Sequence, residues 1–399
     1  LADRAALWLT LIALGGGLTT FIVWQTSDGA LDFSLERAIT VMVITCPHAL
    51  GLAIPLVVAV STGLSAKSGL LIRDRAAFER ARNLECVIFD KTGTLTEGRF
   101  GVDDVISLQG GVTDDEVLAL AAAVESQSEH PIAKGIVKGA DKWKLKVKSP
   151  ETFKAIPGKG AQAKVKAQDI LVVSLGYLNE RNITVKNKRV NKLAAQGRTV
   201  VYVLRNDKLI GAIALADIVR EESKKAIQQL KEMGIQCMML TGDSKEVAQW
   251  VAGKLELDDF FAEVLPDEKS NKIKEIQERG LKVAMVGDGV NDAPALVQAD
   301  VGIAIGAGTD VAVESADIVL VENDPKDVGT ILSLSKATYR KMRENLFWAT
   351  GYNAISIPLA AGILFPLGIV LSPAIGALLM SISAVIVTIN ARMLKLPSR

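Results

Sequence analysis

The chain places long uncharged apolar stretches at its two ends and a mixed apolar and polar stretch in its middle. Residues 5–24 and 345–391 carry no charge, and residues 38–66 carry none apart from His48. A helix that spans a bilayer needs about 20 apolar residues. The last stretch is long enough for two spans, with a natural break at 365–368. The pattern predicts four spans, a pair at each end; buried helices of a soluble protein are the disfavoured alternative.

Cationic residues flank these predicted spans unevenly. They follow the second span (Lys67, Arg73, Arg75, Arg80, Arg82), precede the third (Arg340, Lys341, Arg343) and follow the fourth (Arg392, Lys395, Arg399). The loop 25–36 contains Asp28 and Asp32 and no Lys or Arg. The positive-inside rule therefore predicts an integral membrane protein whose middle and termini are cytoplasmic. A plasma membrane is the expected location.

The middle of the chain repeats a pattern of a short apolar run followed by a polar cluster. The runs are 87–89, 236–240, 283–286 and 301–305, and they end at Asp90, Thr241-Gly242-Asp243, Gly287-Asp288-Gly289 and Gly306. Helical patterns lie between them, at 221–233, 245–254 and 268–278. Strands that alternate with helices predict a parallel sheet. Ligands of such sheets bind beyond the carboxyl ends of the strands.

The stretch from about residue 100 to 205 has a different pattern. It begins with a predicted helix at 114–125 and continues with Lys- and Val-rich strands at 144–148 and 161–166. We interpret it as a separate α+β domain inserted into the parallel-sheet domain. The predicted division is a helix pair at 1–66, the sheet domain at 67–99 and 206–335, the insertion at 100–205, and a helix pair at 336–399.

Composition narrows the possible functions. The net charge is only +1, so nothing indicates a nucleic-acid partner. Cys46, Cys86 and Cys237 are few and far apart, which is typical of a reducing compartment and not of a disulfide framework. The chain begins with Leu1 and shows no signal peptide. We expect the first part of the natural protein to be absent from this sequence.

The most specific chemical signal is Asp90-Lys91-Thr92-Gly93-Thr94-Leu95-Thr96. A carboxylate at a strand end is a candidate nucleophile that forms an aspartyl phosphate. The other clusters supply complementary groups: Thr241, Gly242 and Asp243 for phosphoryl oxygens, Lys269 for positive charge, and Asp288 with Asp90 for Mg²⁺, with Asp292 as a direct or indirect ligand. Each cluster alone would be an ordinary turn or loop. A P-loop is absent from the sequence.

These motifs resemble those of the P-type ATPases, which have a haloacid-dehalogenase-like fold. Asp90–Thr96 matches their phosphorylation signature, and Thr241–Asp243 and Gly287–Asp292 match their other two signatures. The resemblance implies catalytic roles for Lys91, Thr92 and Asn291 and a Mg²⁺ site at Asp90, Thr92, Asp288 and Asp292. Phosphatases of this fold carry a second acid where this chain has Thr92. The resemblance therefore implies an aspartyl phosphate that persists.

The insertion contains Ser128-Glu129-His130-Pro131, which resembles a signature of heavy-metal P-type ATPases. The resemblance implies that His130 and Glu125 orient the adenine of ATP. Gly158 and Gly160 would allow a close approach to the nucleotide. Without the family context, a helix-terminal histidine and a plain turn are the ordinary interpretations.

The second predicted span contains Cys46-Pro47-His48. A histidine at that depth indicates function, and a thiolate with an imidazole favours copper or zinc. No carboxylate occurs in 345–391 to balance a divalent zinc ion, which argues for copper. Further ion-ligand candidates are Tyr352, Asn353, Met380, Ser381 and Ser383.

Cys-Pro-His resembles the motif of a copper-exporting branch of the family. That branch has Thr where this chain has Ala384, so Cu⁺, Cu²⁺ and Ag⁺ stay open. The resemblance implies ATP and Mg²⁺ as cofactors, copper as cargo, a copper donor protein as a candidate partner, and an actuator domain with a Thr-Gly-Glu loop that this sequence lacks. Alternatives are a zinc or other soft-metal pump, a membrane-anchored phosphatase, or a non-catalytic metal receptor.

Overall fold

The structure is a computed structural model that describes residues 2–27, 29–46, 48–306 and 310–396. Its α-helices are α1 (Ala2–Thr26), α2 (Leu31–Thr45), α3 (His48–Lys67), α4 (Arg75–Arg80), α5 (Asp114–Glu125), α6 (Pro131–Lys142), α7 (Leu175–Glu180), α8 (Lys188–Ala195), α9 (Glu221–Glu232), α10 (Lys245–Leu255), α11 (Lys269–Glu278), α12 (Ala293–Gln298), α13 (Asp310–Ser315), α14 (Lys326–Gly351), α15 (Asn353–Ala360) and α16 (Pro373–Arg392). Its strands are β1 (Leu70–Ile72), β2 (Cys86–Asp90), β3 (Thr96–Ser107), β4 (Thr152–Ile156), β5 (Gly160–Val165), β6 (Gln168–Val173), β7 (Thr199–Arg205), β8 (Lys208–Val219), β9 (Gln236–Leu240), β10 (Asp259–Phe261), β11 (Val283–Gly287), β12 (Val301–Ile305) and β13 (Ile318–Leu320). The chain divides into a helical unit, residues 1–83 with 330–399, and a sheet unit, residues 84–329.

The helical unit contains the predicted membrane segments. Among the described residues, three segments are long and apolar enough to cross a membrane: Leu7–Thr26, Leu31–Lys67 and Pro373–Arg392. The middle segment consists of α2 and α3, with Pro47, which lies outside the described residues, between them. Helix α2 begins at Leu31, so the second span starts earlier than predicted and the loop before it is shorter.

The predicted third span consists of two helical pieces and not of one long helix. Helix α14 ends at Gly351 and the short α15 follows, with Pro358 inside it. Gly362, at φ +91°, ends the helical path soon afterwards. Pro358 has no N–H to donate to the Ala354 carbonyl, and Gly362 at positive φ leaves the helical conformation, so the helical path after Tyr352 is short. The predicted break at 365–368 is present as a 3₁₀ turn followed by Gly368 at φ +75°.

The first sheet of the sheet unit is parallel, with the order β13-β12-β11-β2-β9-β10. The predicted strands at 87–89, 236–240, 283–286 and 301–305 are confirmed as β2, β9, β11 and β12, and helices α9, α10 and α11 occupy the predicted helical stretches. Burial of Ile273 and Ile276 of α11 and Leu296 of α12 covers one face of this sheet. The central strands are buried throughout, as parallel sheets require.

The second sheet is antiparallel, with the order β3-β8-β7-β6-β5-β4. Helices α5 and α6 pack on one face through residues such as Val117 and Ile136, and α7 and α8 pack on the other through Leu178 and Val190. The sheet begins at Thr96 and ends at Val219, so it is wider than the predicted 100–205 on both sides.

One predicted strand of the insertion is wrong. Residues 144–148 form no strand, and Lys144 has φ +54° directly after α6. The alternation of Lys and apolar residues imitates a half-buried strand. A segment with such alternation forms a strand only where a neighbouring strand offers hydrogen bonds, and no described strand pairs with residues 144–148.

Candidate active site

Asp90 is the last residue of β2, and three polar clusters meet around it. In the register of the sheet, Asp90 pairs with Leu240, directly before Thr241, and Phe89 pairs with Val286, directly before Gly287. The carboxyl ends of three adjacent parallel strands therefore converge at one edge, as predicted for a ligand site. Asp90 is only 6% exposed.

Lys269 connects the carboxylates at this edge. Its Nζ lies 2.6 Å from Oδ1 of Asp90 and 2.7 Å from Oδ1 of Asp292. Asp288 completes the cluster, since carboxylate oxygens of Asp90, Asp288 and Asp292 lie within 4.8 Å of one another. One ammonium group thus faces three carboxylates. An arrangement with excess negative charge and several oxygen ligands fits Mg²⁺.

The protonation behaviour of the cluster agrees with this crowding. Burial raises the pKa of Asp90 to about 7, the nearby Asp292 adds to the rise, and Lys269 opposes it. Burial and Asp292 also raise the pKa of Asp288. Burial would lower the pKa of Lys269, but attraction to Asp90 and Asp292 outweighs it and the pKa is raised. A divalent cation would relieve the repulsion between these carboxylates.

The turn after Asp90 is held in one conformation. Gly93 has φ +78°, and a Cβ atom there would overlap Oδ2 of Asp288. Arg220 donates from Nη2 to the Gly93 carbonyl and from Nε to the Thr96 carbonyl, both at 3.0 Å. Thr92 is exposed at the tip of this turn. Only glycine at position 93 therefore lets the turn pack against Asp288.

Lys91 points away from Asp90 and is also ion-paired. Its Nζ lies 2.9 Å from Oδ2 of Asp243 and 3.3 Å from Oδ2 of Asp217. Asp217 also accepts a hydrogen bond from Oγ1 of Thr96. The sequence predictions missed Asp217 and Arg220. Their signal was an acid and a base placed three residues apart, where β8 ends and the chain re-enters the parallel sheet.

The remaining predicted catalytic residues are placed as follows. Thr241 is buried, and its Oγ1 accepts a hydrogen bond of 3.1 Å from the Asp243 N–H. Gly242 is exposed beside them. Asn291 lies in the turn Val290–Asp292 with an exposed side chain, and the described hydrogen bonds do not connect it to Asp90. To bind a phosphoryl oxygen as predicted, the Asp243 N–H would have to give up its hydrogen bond to Oγ1 of Thr241.

A cavity of about 460 Å³ adjoins this turn. Lys91 and Thr92 line one side, and the segment Gly197–Thr199 at the start of β7 lines the other. Arg198 lies with its guanidinium carbon 4.3 Å from the ring centroid of Trp250 and pairs with Asp103 at 2.9 Å. The space next to the nucleophile's turn is therefore bounded by both sheets.

A second cavity of about 400 Å³ lies in the antiparallel sheet and brings together the four predicted nucleotide residues: Glu125, His130, Gly158 and Gly160. Burial raises the pKa of Glu125 to about 7, and a hydrogen bond with Ser128 opposes the rise. His130 caps α6, and its Nδ1 accepts from the Ile132 N–H at 3.3 Å.

Gly158 and Gly160 at this cavity have φ of +69° and +137°. A Cβ at Gly160 would overlap the Val172 carbonyl, whereas a Cβ at Gly158 would meet nothing within 4 Å. Gly160 is thus required by strand pairing as well as by the cavity wall, and space remains above Gly158.

In the helical unit, the predicted ion ligands lie on three helices. Cys46 is exposed and directly follows α2; Pro47 and the side chain of His48 lie outside the described residues. The Tyr352 hydroxyl donates to the Ile44 carbonyl at 3.2 Å, which places it beside the turn that carries Cys46. Asn353 is buried, and neither polar atom of its side chain has a hydrogen-bond partner among the described residues.

The candidates on α16 differ from one another. Met380 is half-buried, and Ser381 is exposed with its Oγ donating to Ala377 O in its own helix. Ser383 is buried and donates to the Trp348 carbonyl of α14 at 3.2 Å. The structure therefore brings Tyr352 to the Cys46 turn, but it does not direct Ser381 toward α14.

Comparison with known proteins agrees with this architecture. A family profile described as haloacid dehalogenase-like hydrolase matches residues 84–300. The copper-exporting P-type ATPase B of Archaeoglobus fulgidus is 62% identical over 395 residues, which cover 99% of this chain and 57% of that protein. A probable copper-transporting P-type ATPase B of Staphylococcus aureus is 46% identical over 396 residues, which cover 99% and 59%.

The chain belongs to the haloacid dehalogenase-like hydrolase family. The crystal structure of a zinc-transporting PIB-type ATPase in the E2.Pi state is 33% identical, with a TM-score of 0.80 over 97% of this chain and 62% of that one. The chain spans about three-fifths of the length of the curated relatives it matches. The predicted fold class, with membrane helices, a haloacid-dehalogenase-like sheet and an inserted α+β sheet, is confirmed.

Proposed function

We propose that the protein to which this chain belongs exports copper across a membrane, driven by ATP through an aspartyl phosphate at Asp90. The observation that carries the proposal is the cluster of Asp90, Lys269, Asp288 and Asp292 at the strand ends. The choice of copper is supported by the Cys46-Pro47-His48 motif, by the absence of acids in 345–391 and by the names of the two relatives above.

In the proposed reaction, an Asp90 carboxylate oxygen forms a bond to the γ-phosphorus of ATP. The bond from that phosphorus to the β–γ bridging oxygen breaks, and ADP leaves with the electron pair. Lys269 favours the ionised form of Asp90 and offsets charge on the transferred group. Mg²⁺ held by Asp90, Asp288 and Asp292, with Thr92 contributing from the turn, would neutralise phosphate charge. Lys91, fixed by Asp217 and Asp243, and Thr241, Gly242 and Asn291 would shape the phosphoryl pocket.

The finer assignments are supported by the sequence motifs and, for the nucleotide, by the second cavity. Glu125 and His130 would bind adenine in the 400 Å³ cavity, and Gly158 and Gly160 would allow the nucleotide to approach the backbone. Copper would bind at Cys46 and His48, assisted by Tyr352, Asn353, Met380, Ser381 and Ser383.

The catalytic unit would be cytoplasmic, at a plasma membrane, by the distribution of Lys and Arg. A Thr-Gly-Glu actuator domain in the full-length protein and a copper donor protein complete the proposal, since this sequence contains no Thr-Gly-Glu and the ion must reach an intramembrane site.

The test is labelling of the full-length protein with γ-³²P-ATP, with Asp90→Asn as the control. Acid-stable label that needs Cu⁺, is not produced by Zn²⁺ and is absent in the variant would support the proposal. Label that depends on Zn²⁺ would overturn copper as the transported ion but would leave the phosphorylation of Asp90 in place. Rapid metal-independent hydrolysis without accumulated label would indicate a membrane-anchored phosphatase, and copper binding with no label or hydrolysis would indicate a receptor.

A further inference from the structure

A continuous chain of polar side chains crosses the apolar interior of the helical unit. Lys341 Nζ donates to Asn390 Oδ1 at 2.8 Å, Asn390 Nδ2 donates to Asn345 Oδ1 at 2.8 Å, and Asn345 Nδ2 donates to the Ala53 carbonyl at 2.9 Å. We call these three side chains and that carbonyl the Asn345 chain. It joins α14, α16 and α3.

Asn345 is the buried centre of this chain. It is 0% exposed, and the residues packed nearby are apolar, among them Leu50, Ala349 and Val387. Burying an amide among apolar groups costs free energy unless its donor and acceptor are both satisfied. Here both are satisfied, by Ala53 and Asn390, so the amide has one fixed orientation. Its polar atoms are occupied, in contrast to those of Asn353, so Asn345 does not offer a ligand to an ion.

The contact on α3 is close to the predicted copper ligands. Helix α3 begins at His48, and Ala53 lies between His48 and Pro55. Pro55 has no N–H to give to the Gly51 carbonyl, which weakens the helix at this level. The side chain of Asn345 therefore holds α3 where it deforms most easily, little more than one turn beyond the Cys46-Pro47-His48 motif.

We propose that Asn345 is a positioning residue for copper: it holds α3, the helix that begins at His48 of the Cys-Pro-His motif, against α14. Asn345 lies in α14, the helix from Lys326 to Gly351. The inference rests on the proposed copper transport. It adds a residue that acts on ion binding without touching the ion.

The test compares Asn345→Leu, Asn390→Leu and the double variant in the full-length protein. The control is Thr350→Val, since Thr350 lies on the same helix and its Oγ1 bonds only to Leu346 of that helix among the described residues. Two quantities are measured: the copper concentration for half-maximal labelling by γ-³²P-ATP, and copper-free labelling by ³²P-phosphate, which needs Asp90 but no ion site.

Asn345→Leu should raise the half-maximal copper concentration about tenfold, the equivalent of one lost buried hydrogen bond with its carbonyl left unpaired. Asn390→Leu should raise it less, and the double variant should match Asn345→Leu because both residues act through one chain. Labelling by phosphate should stay within about twofold, and Thr350→Val should resemble the unsubstituted protein.

The inference is overturned if the copper requirement of Asn345→Leu is unchanged, or if its labelling by copper with ATP and by phosphate falls in parallel, which is the signature of a general folding defect. It is also overturned if the double variant raises the half-maximal copper concentration by the product of the two single factors, because the two residues would then act independently. Absence of copper-dependent labelling in the unsubstituted protein would overturn the proposed function itself, and this inference with it.

Discussion

Replacing Asp90 by Asn should abolish phosphorylation and yet stabilise the sheet unit. Asp90 lies among Asp288, Asp292 and a single ammonium group, and burial raises its pKa to about 7 from 3.8. The folded protein therefore binds an extra proton at this site between about pH 4 and pH 7, relative to the unfolded chain. Stability falls as the pH rises through that window.

Raising the pKa of Asp90 by about three lowers the stability of the folded protein by about 4 kcal/mol once this carboxyl group is ionised, because each tenfold change in a proton equilibrium is about 1.4 kcal/mol. Asn resembles the protonated carboxyl group and escapes this cost. We therefore expect Asp90→Asn to gain about 4 kcal/mol at pH 8 and under about 2 kcal/mol at pH 5. For a unit of this size the gain at pH 8 corresponds to a Tm increase on the order of 10 °C.

The assay is thermal unfolding followed by tryptophan fluorescence, in detergent with a chelator that removes divalent cations. Asp267→Asn is the control, since Asp267 is an exposed carboxylate two residues before Lys269. A loss of stability in Asp90→Asn, or a gain of equal size at pH 5 and pH 8, would refute the reasoning from carboxylate crowding. Saturating Mg²⁺ should reduce the difference, because the cation offsets the same repulsion.

Three further predictions concern the candidate sites. Lys269→Met leaves two buried carboxylates unpaired and should lower stability at pH 8 by about 3–5 kcal/mol; thermal unfolding equal to that of the unsubstituted protein would contradict it. Gly93→Ala should displace Asp288 and raise the Mg²⁺ concentration for half-maximal labelling about tenfold, so an unchanged Mg²⁺ titration would argue against the site. ATP binding by the unsubstituted protein should weaken below pH 7 as Glu125 is protonated, whereas Glu125→Gln should show a flat profile; calorimetry at pH 6 and pH 8 compares them, and parallel profiles would reject the adenine contact.

The sequence was sufficient to predict the parallel sheet and the convergence of its clusters. Each of β2, β9 and β11 is a short apolar run that ends in a polar group, and parallel strands necessarily bring those ends to one edge. The meeting of Asp90 with Lys269 follows from that topology. The family resemblance, drawn from the same motifs, is confirmed by the comparisons.

Contacts that depend on tertiary packing were not predictable in this way. One of the two ion-pair partners of Lys91 is Asp217, which follows it by 126 residues in the chain, and no local pattern relates the two. Likewise, hydropathy predicts an apolar stretch at 345–364 but not its division at Tyr352 into α14 and α15. The role of Asn345 becomes visible only when Ala53 and Asn390 are placed beside it.

The order of strands in the parallel sheet also imposes a delay during synthesis. Strand β2 is complete at Asp90, but its neighbours β9 and β11 begin only at Gln236 and Val283. At about 5–20 residues per second, a ribosome needs on the order of ten seconds to deliver the first of them. Throughout that time the apolar segment Cys-Val-Ile-Phe has no partner strand, while the inserted sheet has time to fold by itself. Strand β2 therefore stays without its neighbouring strands for longer than any strand of the inserted sheet does.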